Sequence, residues 1–196
     1  MRKFILSLSF FCSTILTIAQ NQVNFKMQSD ATLKSEDGKD FIVIPFEGKS
    51  AQDLYTLVKM NATTQYNSAK DVLSTVENEV ISINGISEES ISKGYPKSNS
   101  GNGSKSRTHN KRKPIGYYSF TIQYVLNLRF KDGKIRVDAP TIIRFDDGTE
   151  GSTPLDTKIN RAIYRNGIEI NDIYEKIESR LNKICNDVIS IKNEDW

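Results

Sequence analysis

Apolar and polar residues alternate in one long stretch near the middle of the chain. Every second residue from Phe120 to Phe130 is apolar, and most of the residues between them are polar. This period of two is typical of a strand with one buried face and one face in water. The Asp132-Gly133 pair that follows favours a tight hairpin turn. Such a turn predicts apolar cross-strand pairs, namely Phe130–Ile135, Leu128–Val137 and Leu126–Ala139.

Two stretches with helical periodicity flank the predicted strands. Ser50 and Asp53 are spaced as in a capping box, so we expect a helix to begin after Ser50 and to end near residues 61–64. Towards the C-terminus an apolar residue recurs every three or four positions, which predicts a helix over about 171–191. Its apolar stripe consists of Ile170, Ile173, Ile177, Leu181, Ile184, Val188 and Ile191. Packing of this stripe on the sheet of the same chain is the simpler interpretation, and a helix pair between two copies is the alternative.

Shorter apolar runs complete the predicted sheet. Phe41–Phe46 is rich in β-branched residues, and Pro45 indicates that this strand lies at an edge or ends there. Two more strands are expected over about 71–76 and 79–86, with a turn near Glu77-Asn78. The predicted fold is therefore α+β, in the order strand, helix, four strands, helix. We expect a four- or five-stranded antiparallel sheet with both helices packed on one face.

The first residues have the features of an export signal. Arg2 and Lys3 are followed by an apolar stretch and by small residues that end at Ala19. This order predicts a signal peptide that is cleaved after Ala19, and hence a protein of the periplasm or cell envelope. A retained N-terminal anchor is the alternative. Cleavage would remove Cys12 and leave Cys185, which we expect to be a buried apolar side chain of the C-terminal helix.

Composition and charge add one further feature to this pattern. With 37% hydrophobic residues the chain is not disordered throughout, and its apolar runs are too short for a polytopic membrane protein. Positive charge is concentrated in residues 94–116, which contain six Lys and Arg and no acid, although the whole chain carries only +3. This Gly-, Ser-, Asn- and Lys-rich segment is predicted to be a flexible basic insert between two strands.

These features divide the chain into four predicted parts. Residues 1–19 are the signal peptide, and residues 20–38 form a loose polar lead-in in which one short strand near Thr32 is the most order we expect. Residues 39–145 form the folded domain, which contains the basic insert. Residues 146–196 form a polar connection followed by the packing helix.

Few residues are suited to catalysis or metal binding. His109 is the only histidine and lies in the insert, where no rigid neighbours would hold it against a substrate. The acidic residues 146–150 could form a weak calcium site, but their spacing matches no EF-hand and a solvated turn is favoured. No nucleophile elbow, phosphate-binding glycine loop or Cys-x-x-Cys pair is present. We therefore predict no catalytic, cofactor-binding or metal-binding residues, and a non-enzymatic role is favoured.

Four segments carry a resemblance to a known family: KDFIVIPFEG, SAQDLYTLVKMNATTQY, SAKDVLSTVENEVISINGIS and YVLNLRFKDGKIRV. In pattern and order they resemble uncharacterised domains of exported bacterial envelope proteins, described as having a fold like the TATA-box-binding protein. The resemblance implies that residues 39–145 form such a domain of unknown function. It implies no activity, and it identifies no catalytic residues.

The predicted function is that of an exported binding or structural module with an unidentified partner in the envelope. The polar face of the long strand and its hairpin is the candidate partner face, formed by Thr121, Gln123, Asn127, Arg129 and Arg136. In the hairpin Arg129 would oppose Arg136, and we expect both arginines to be solvated; an acidic contact on this face is the less favoured alternative.

Two alternative functions remain open. The basic insert is a candidate tether to anionic envelope surfaces through Lys105, Arg107, Lys111, Arg112 and Lys113. Nucleic acid is a less favoured partner for these residues, because the chain is predicted to be exported. A hydrolase of envelope polymers that uses two carboxylates is the enzymatic alternative.

Overall fold

The computed structural model describes residues 22–66, 72–94, 115–148 and 170–191, which contain eight strands and two helices. Strands β1 and β2 form a separate hairpin, and the other six strands form one antiparallel sheet. The fold is therefore α+β, as the sequence predicts, but the sheet has six strands instead of the predicted four or five. In chain order the elements are β1 (Phe25–Met27), β2 (Leu33–Ser35), β3 (Phe41–Pro45), α1 (Ala51–Gln65), β4 (Leu73–Val76), β5 (Val80–Gly94), β6 (Ile115–Lys131), β7 (Lys134–Asp138), β8 (Thr141–Asp146) and α2 (Ile170–Ile189).

Strand β6 is the centre of the sheet, in which the strand order is β3–β7–β6–β5–β4. Strand β5 pairs with one edge of β6, and β7 and β8 pair end to end with the other edge. The β6–β7 hairpin has the predicted register, with the pairs Phe130–Ile135, Leu128–Val137 and Arg129–Arg136. The predicted Leu126–Ala139 pair does not form, because β7 ends at Asp138 and Pro140, which has no N–H to donate, separates it from β8.

Five strands lie between the two helices, not the predicted four. The additional strand is β8, and its Phe145 is buried and stacks on Phe120 with ring centroids 5.1 Å apart. The register of β8 shifts between Gln123 and Tyr124, so that Ile143 is an extra residue without a partner on β6. Strand β8 was missed because its few apolar residues do not alternate regularly across this bulge.

Strands β5 and β6 are longer than predicted. Gly94 at the end of β5 pairs with Ile115 at the start of β6, so both ends of the predicted insert 94–116 belong to the sheet. The signal peptide over 1–19 lies outside the described residues. So do His109 and the candidate tether residues Lys105, Arg107, Lys111, Arg112 and Lys113.

Both helices lie against the inner face of the sheet, which carries the buried residues Phe120, Ile122, Tyr124, Leu126, Leu128 and Phe130. The predicted stripe of α2 is buried from Ile173 to Val188, which confirms that it packs within its own chain. Ile191 lies beyond the end of α2 and is exposed. Cys185 is fully buried, as predicted. Neither described helix is long and apolar enough to cross a membrane.

Helix α1 begins with the predicted capping box. The Ser50 hydroxyl accepts a hydrogen bond from the Asp53 N–H at 3.1 Å, and the Ser50 N–H donates to the Asp53 carboxylate at 3.2 Å. The helix continues to Gln65 instead of ending near 61–64. Near this end the buried Asn61 amide donates to the carbonyl oxygens of Val188 and Ser190, at 3.0 and 2.8 Å, and so joins α1 to the end of α2.

The N-terminal hairpin differs from the loose lead-in that the sequence predicts for 20–38. Its strand β2 lies beside Thr32, where one short strand is expected, whereas β1 is not predicted. Strand β1 pairs with β2, and the side chains of Val23, Phe25 and Leu33 are buried. These three apolar residues are too widely spaced to give a strong signal alone. They become ordered because α2 offers them an apolar surface and binds the backbone beside them.

A row of polar side chains on α2, which we call the α2 ladder, holds the backbone of β1. It consists of Glu178, Asn182 and Asn186, which bind the backbones of Met27, Phe25 and Val23 respectively. Each asparagine makes a pair of hydrogen bonds, because its carbonyl accepts from the strand N–H and its amide donates to the strand carbonyl. For Asn182 both distances are 2.8 Å. The ladder replaces the hydrogen bonds that a further strand would supply to β1.

Candidate functional site

The face of the sheet opposite the helices, called here the outer face, carries all five residues of the predicted partner face. They lie there because they alternate along β6 and β7 with the buried residues of the inner face: Thr121, Gln123, Asn127, Arg129 and Arg136. The structure does not bring them together as one site. Thr121 and Gln123 pair with β8, whereas Arg129 and Arg136 pair with each other about 20–27 Å further along, at about 3.4 Å per residue.

Arg129 and Arg136 have an acidic partner within their own chain. Asp138, which is two residues beyond Arg136 on the same face of β7, accepts from Arg136 Nε at 2.6 Å and from Arg129 Nε at 3.4 Å. The guanidinium of Arg136 also lies over the ring of Phe41 on β3, 4.0 Å from its centroid. The favoured expectation of two solvated arginines is therefore wrong, because Asp138 of the same chain supplies the acidic contact.

The same hairpin carries two more cations that the sequence analysis missed. Lys131 and Lys134 are opposed across the strands, on the same face as the arginine pair. We call Arg129, Lys131, Lys134 and Arg136 the hairpin array. Both lysines are exposed, and no described carboxylate forms an ion pair with them. The sequence alone was enough to find the lysine pair, because a register in which residue 129 opposes 136 also places residue 131 opposite 134.

The hairpin array borders a groove of about 360 Å³. Its other walls come from β3, where Phe41 is half-buried and Val43 is 45% exposed. The groove therefore combines positive charge with apolar surface. The Asp132 carboxylate at the turn is directed to α1, where it accepts from the Ala51 N–H at 2.9 Å, and it forms no ion pair with the hairpin array.

A second cavity, of about 710 Å³, lies at the opposite end of β5 and β6. We call it the acidic cleft, and the charged residues that line it are Glu88, Glu89, Asp146, Asp147 and Lys176. Glu89 is held by cations of α2, with Arg180 at 3.1 Å and Lys176 at 3.3 Å. Thr121 of the predicted partner face also lines this cleft.

The acids of the cleft at the end of β8 are engaged locally. The Tyr118 hydroxyl donates to Asp147 at 3.2 Å, and burial, reinforced by this carboxylate, raises the pKa of Tyr118. Arg144 donates to Asp146 at 2.9 Å. In the described ranges no group of three or more His, Cys, Asp or Glu residues is placed to hold a metal ion, and residues 149–150 of the acidic turn lie outside those ranges.

The polar groups between α2 and the inner face are all paired. The hydroxyls of Tyr66 and Tyr124 are 2.6 Å apart, and the pKa of Tyr124 is raised chiefly by its burial. Arg180 donates to the buried hydroxyl of Ser87 at 2.8 Å. No buried side-chain nitrogen or oxygen in the described part of the chain lacks a hydrogen-bond partner. These groups hold α2 on the sheet.

Comparison with protein-family models gives no match, and comparison with curated proteins gives none either. Among solved structures, the chain is similar to a DUF4468 family protein from Bacteroides ovatus ATCC 8483, whose crystal structure was determined at 1.49 Å resolution. The two chains are 14% identical, the alignment covers 80% of this chain and 88% of that chain, and the TM-score is 0.49. The designation of that family is one given to domains of unknown function, and it names no activity.

Proposed function

We propose that this chain is an exported, non-enzymatic binding module of the bacterial cell envelope, and that it takes a protein partner on the outer face of its sheet. The observation that carries the proposal is the contrast between the two faces. The inner face is buried under α1 and α2, whereas the outer face exposes apolar side chains among its polar ones. Val76 and Ile86 are 55% and 67% exposed there. Both helices lie against the inner face, which leaves these aliphatic side chains available to a protein partner.

Two expectations from the sequence support the location and the fold in this proposal. The basic start, apolar stretch and small residues before Ala19 are those of a cleaved signal peptide. The four segments within 39–145 resemble exported envelope domains with a fold like the TATA-box-binding protein. Sequencing of the N-terminus of the protein from an envelope fraction tests the first expectation, which predicts Gln20 as the first residue. A chain that still begins at Met1 would overturn the prediction of a cleaved signal.

Cross-linked capture from native envelopes tests the partner face. Gln123→Arg/Asn127→Arg adds bulk and charge to the outer face at residues that make no side-chain hydrogen bond with described residues. The matched control, Met60→Arg/Ser179→Arg, makes the same additions at exposed positions of the helices. We expect one defined protein to be captured by the wild type and the control and lost with the outer-face variant. Equal capture by all three chains would refute the use of this face.

The acidic cleft supports a second candidate function, a hydrolase of envelope polymers. Two carboxylates that flank a bond can act as acid and base, and this cleft brings four carboxylic side chains to one cavity. Glu89 is already paired with two cations of α2, which leaves its carboxylate less available to a substrate. Glu88→Gln and Asp147→Asn should each abolish hydrolysis of purified envelope polymers if the cleft is catalytic. An absence of hydrolysis by the wild type would remove this candidate.

The basic insert supports a third candidate, an electrostatic tether to anionic surfaces. Contacts between lysines or arginines and anionic surfaces weaken steeply as salt is raised. A variant that lacks Pro96–Pro114 distinguishes this function in the same capture experiment. Capture that is lost with the insert and at moderate salt would identify a tether. Capture that this variant keeps would exclude it.

A further inference from the structure

The β6–β7 hairpin contains two successive pairs of like charges. Arg129 opposes Arg136, and the next pair on the same face is Lys131 and Lys134. Like charges directly opposite each other on antiparallel strands are destabilising, so this hairpin contradicts a local rule of sheet stability twice. Contradictions of this kind are expected where a protein uses a surface for binding.

Asp138 shows that a carboxylate binds between two cations of the array. Its carboxylate bridges the two arginines, and its side chain is only 17% exposed. One carboxylate against four cations leaves the array with a net charge of 4 − 1 = +3. The lysine pair has the same cross-strand arrangement as the arginine pair, but the described residues supply no carboxylate to bridge it. A second carboxylate, placed between Lys131 and Lys134 from outside, would complete the pattern.

The spacing of the array matches that of an extended peptide. Arg129 and Lys131 are two residues apart on one strand, which places the two cation pairs about 6.8 Å apart. Carboxylates at alternate residues of an extended peptide have this same repeat. The groove also offers Phe41 and Val43 beside the cations, and these can pack against apolar side chains of the ligand. The combination favours a peptide over a uniformly polar anionic polymer.

We propose that the hairpin array and its groove bind an acidic peptide segment of a partner protein, extended, with carboxylates at alternate positions. The proposal rests on the proposed use of the outer face for binding and names the chemistry of the partner. The peptide places one carboxylate between Lys131 and Lys134. A neighbouring apolar side chain packs against Val43, and a further carboxylate approaches Arg129 in competition with Asp138.

Fluorescence anisotropy with a labelled Glu-Val-Glu-Val-Glu peptide tests this directly on the whole mature chain. Lys131→Gln/Lys134→Gln should raise the Kd by about three- to tenfold, since each exposed ion pair contributes little by itself. The control Lys34→Gln/Lys183→Gln removes the same charge from β2 and α2 and should leave the Kd within twofold. Equal weakening in both variants would show that only net charge matters and would overturn the proposal.

Thermal unfolding shows whether the lysine variant is folded, so that a raised Kd is not caused by misfolding. Removal of the Lys131–Lys134 repulsion should leave the Tm of Lys131→Gln/Lys134→Gln equal to that of the wild type or raise it. A lower Tm would contradict the interpretation that the Lys131–Lys134 pair destabilises the fold and serves binding. The matched peptide Gln-Val-Gln-Val-Gln should bind at least tenfold more weakly than the acidic peptide, and equal binding would exclude the carboxylates as the recognised groups.

Two further probes test whether the recognised anion belongs to a peptide, a polysaccharide or a lipid. A comparison with the capture experiment distinguishes failure of this inference from failure of the proposed function. Polygalacturonate and vesicles with anionic lipid should bind more weakly than the acidic peptide, and tighter, array-dependent binding of either would replace the peptide in this proposal. If the acidic peptide does not bind while capture from envelopes still depends on Gln123 and Asn127, then this inference fails and the proposed function stands. If neither peptide binding nor capture from envelopes depends on the outer face, then both this inference and the proposed function fail.

Discussion

The α2 ladder makes a strong stability prediction, because it joins the first described strand to the last helix. Four residues along a helix rise about 6.0 Å, and two residues along a strand rise about 6.7 Å. These lengths match closely enough for side chains at 178, 182 and 186 to meet the backbones of alternate residues, two in β1 and one just before it. Asn182 is the central member, and both of its hydrogen bonds to Phe25 are 2.8 Å long.

Asn182→Ala removes both hydrogen bonds and leaves the N–H and the C=O of Phe25 without their partner. Each such bond contributes about 0.5–1.5 kcal/mol, so the pair contributes about 1–3 kcal/mol. Alanine recovers about 0.5 kcal/mol through its higher helix propensity. The free energy of unfolding should therefore fall by about 1.5 kcal/mol, and the Tm by roughly 3–6 °C for a chain of this length.

Circular dichroism tests this prediction through the Tm, and hydrogen exchange tests it through the exchange rate of the Phe25 amide. Ser179→Ala, at an exposed position of the same helix, is the matched control for helix propensity and should leave the Tm unchanged or slightly raised. The Phe25 amide should exchange about tenfold faster in Asn182→Ala than in the control. If the two variants have the same Tm and the same exchange rate at Phe25, the ladder does not stabilise the fold and the reasoning is refuted.

Three other predictions follow from the buried residues. In Gly85→Ala the new Cβ would lie 2.2 Å from the Tyr124 ring, so urea unfolding should show a loss of about 1–3 kcal/mol that Tyr124→Leu partly restores; an unchanged midpoint would contradict this contact. Asn61→Ala should lower the free energy of unfolding by about 1–2 kcal/mol through loss of the two bonds to the end of α2, whereas the exposed Gln65→Ala should have little effect. Burial raises the pKa of the Cys185 thiol, so as pH rises the thiol ionises in the unfolded chain before it does in the folded chain. The contribution of the protonated thiol to the free energy of unfolding is therefore complete below about pH 8.5 and is lost progressively above it. Cys185→Ala should show a shallower fall in Tm between pH 8 and pH 10, and equal slopes would refute the assignment.

Local sequence patterns determined the elements that need only their own residues. The alternation along β6 and the Asp132-Gly133 turn predicted the register of the β6–β7 hairpin, because a period of two and a tight turn leave one pairing that keeps the apolar residues together. The capping box fixed the start of α1, and the apolar stripe fixed the buried face of α2. Part of the hairpin array was also within reach, since Lys131 and Lys134 follow from the same register.

Only the tertiary structure decided which weakly patterned segments are ordered and how far the predicted elements extend. The N-terminal hairpin and β8 have too few apolar residues to fold alone, and they are ordered because α2 and β6 supply the missing hydrogen bonds and apolar surface. The ends of α1 and α2 are joined because Asn61 meets carbonyl oxygens more than a hundred residues away in the chain. Asp138 likewise meets Arg129 only across the hairpin. A local pattern records the preference of a segment for a conformation, whereas the partners that satisfy its polar groups are brought to it by the fold.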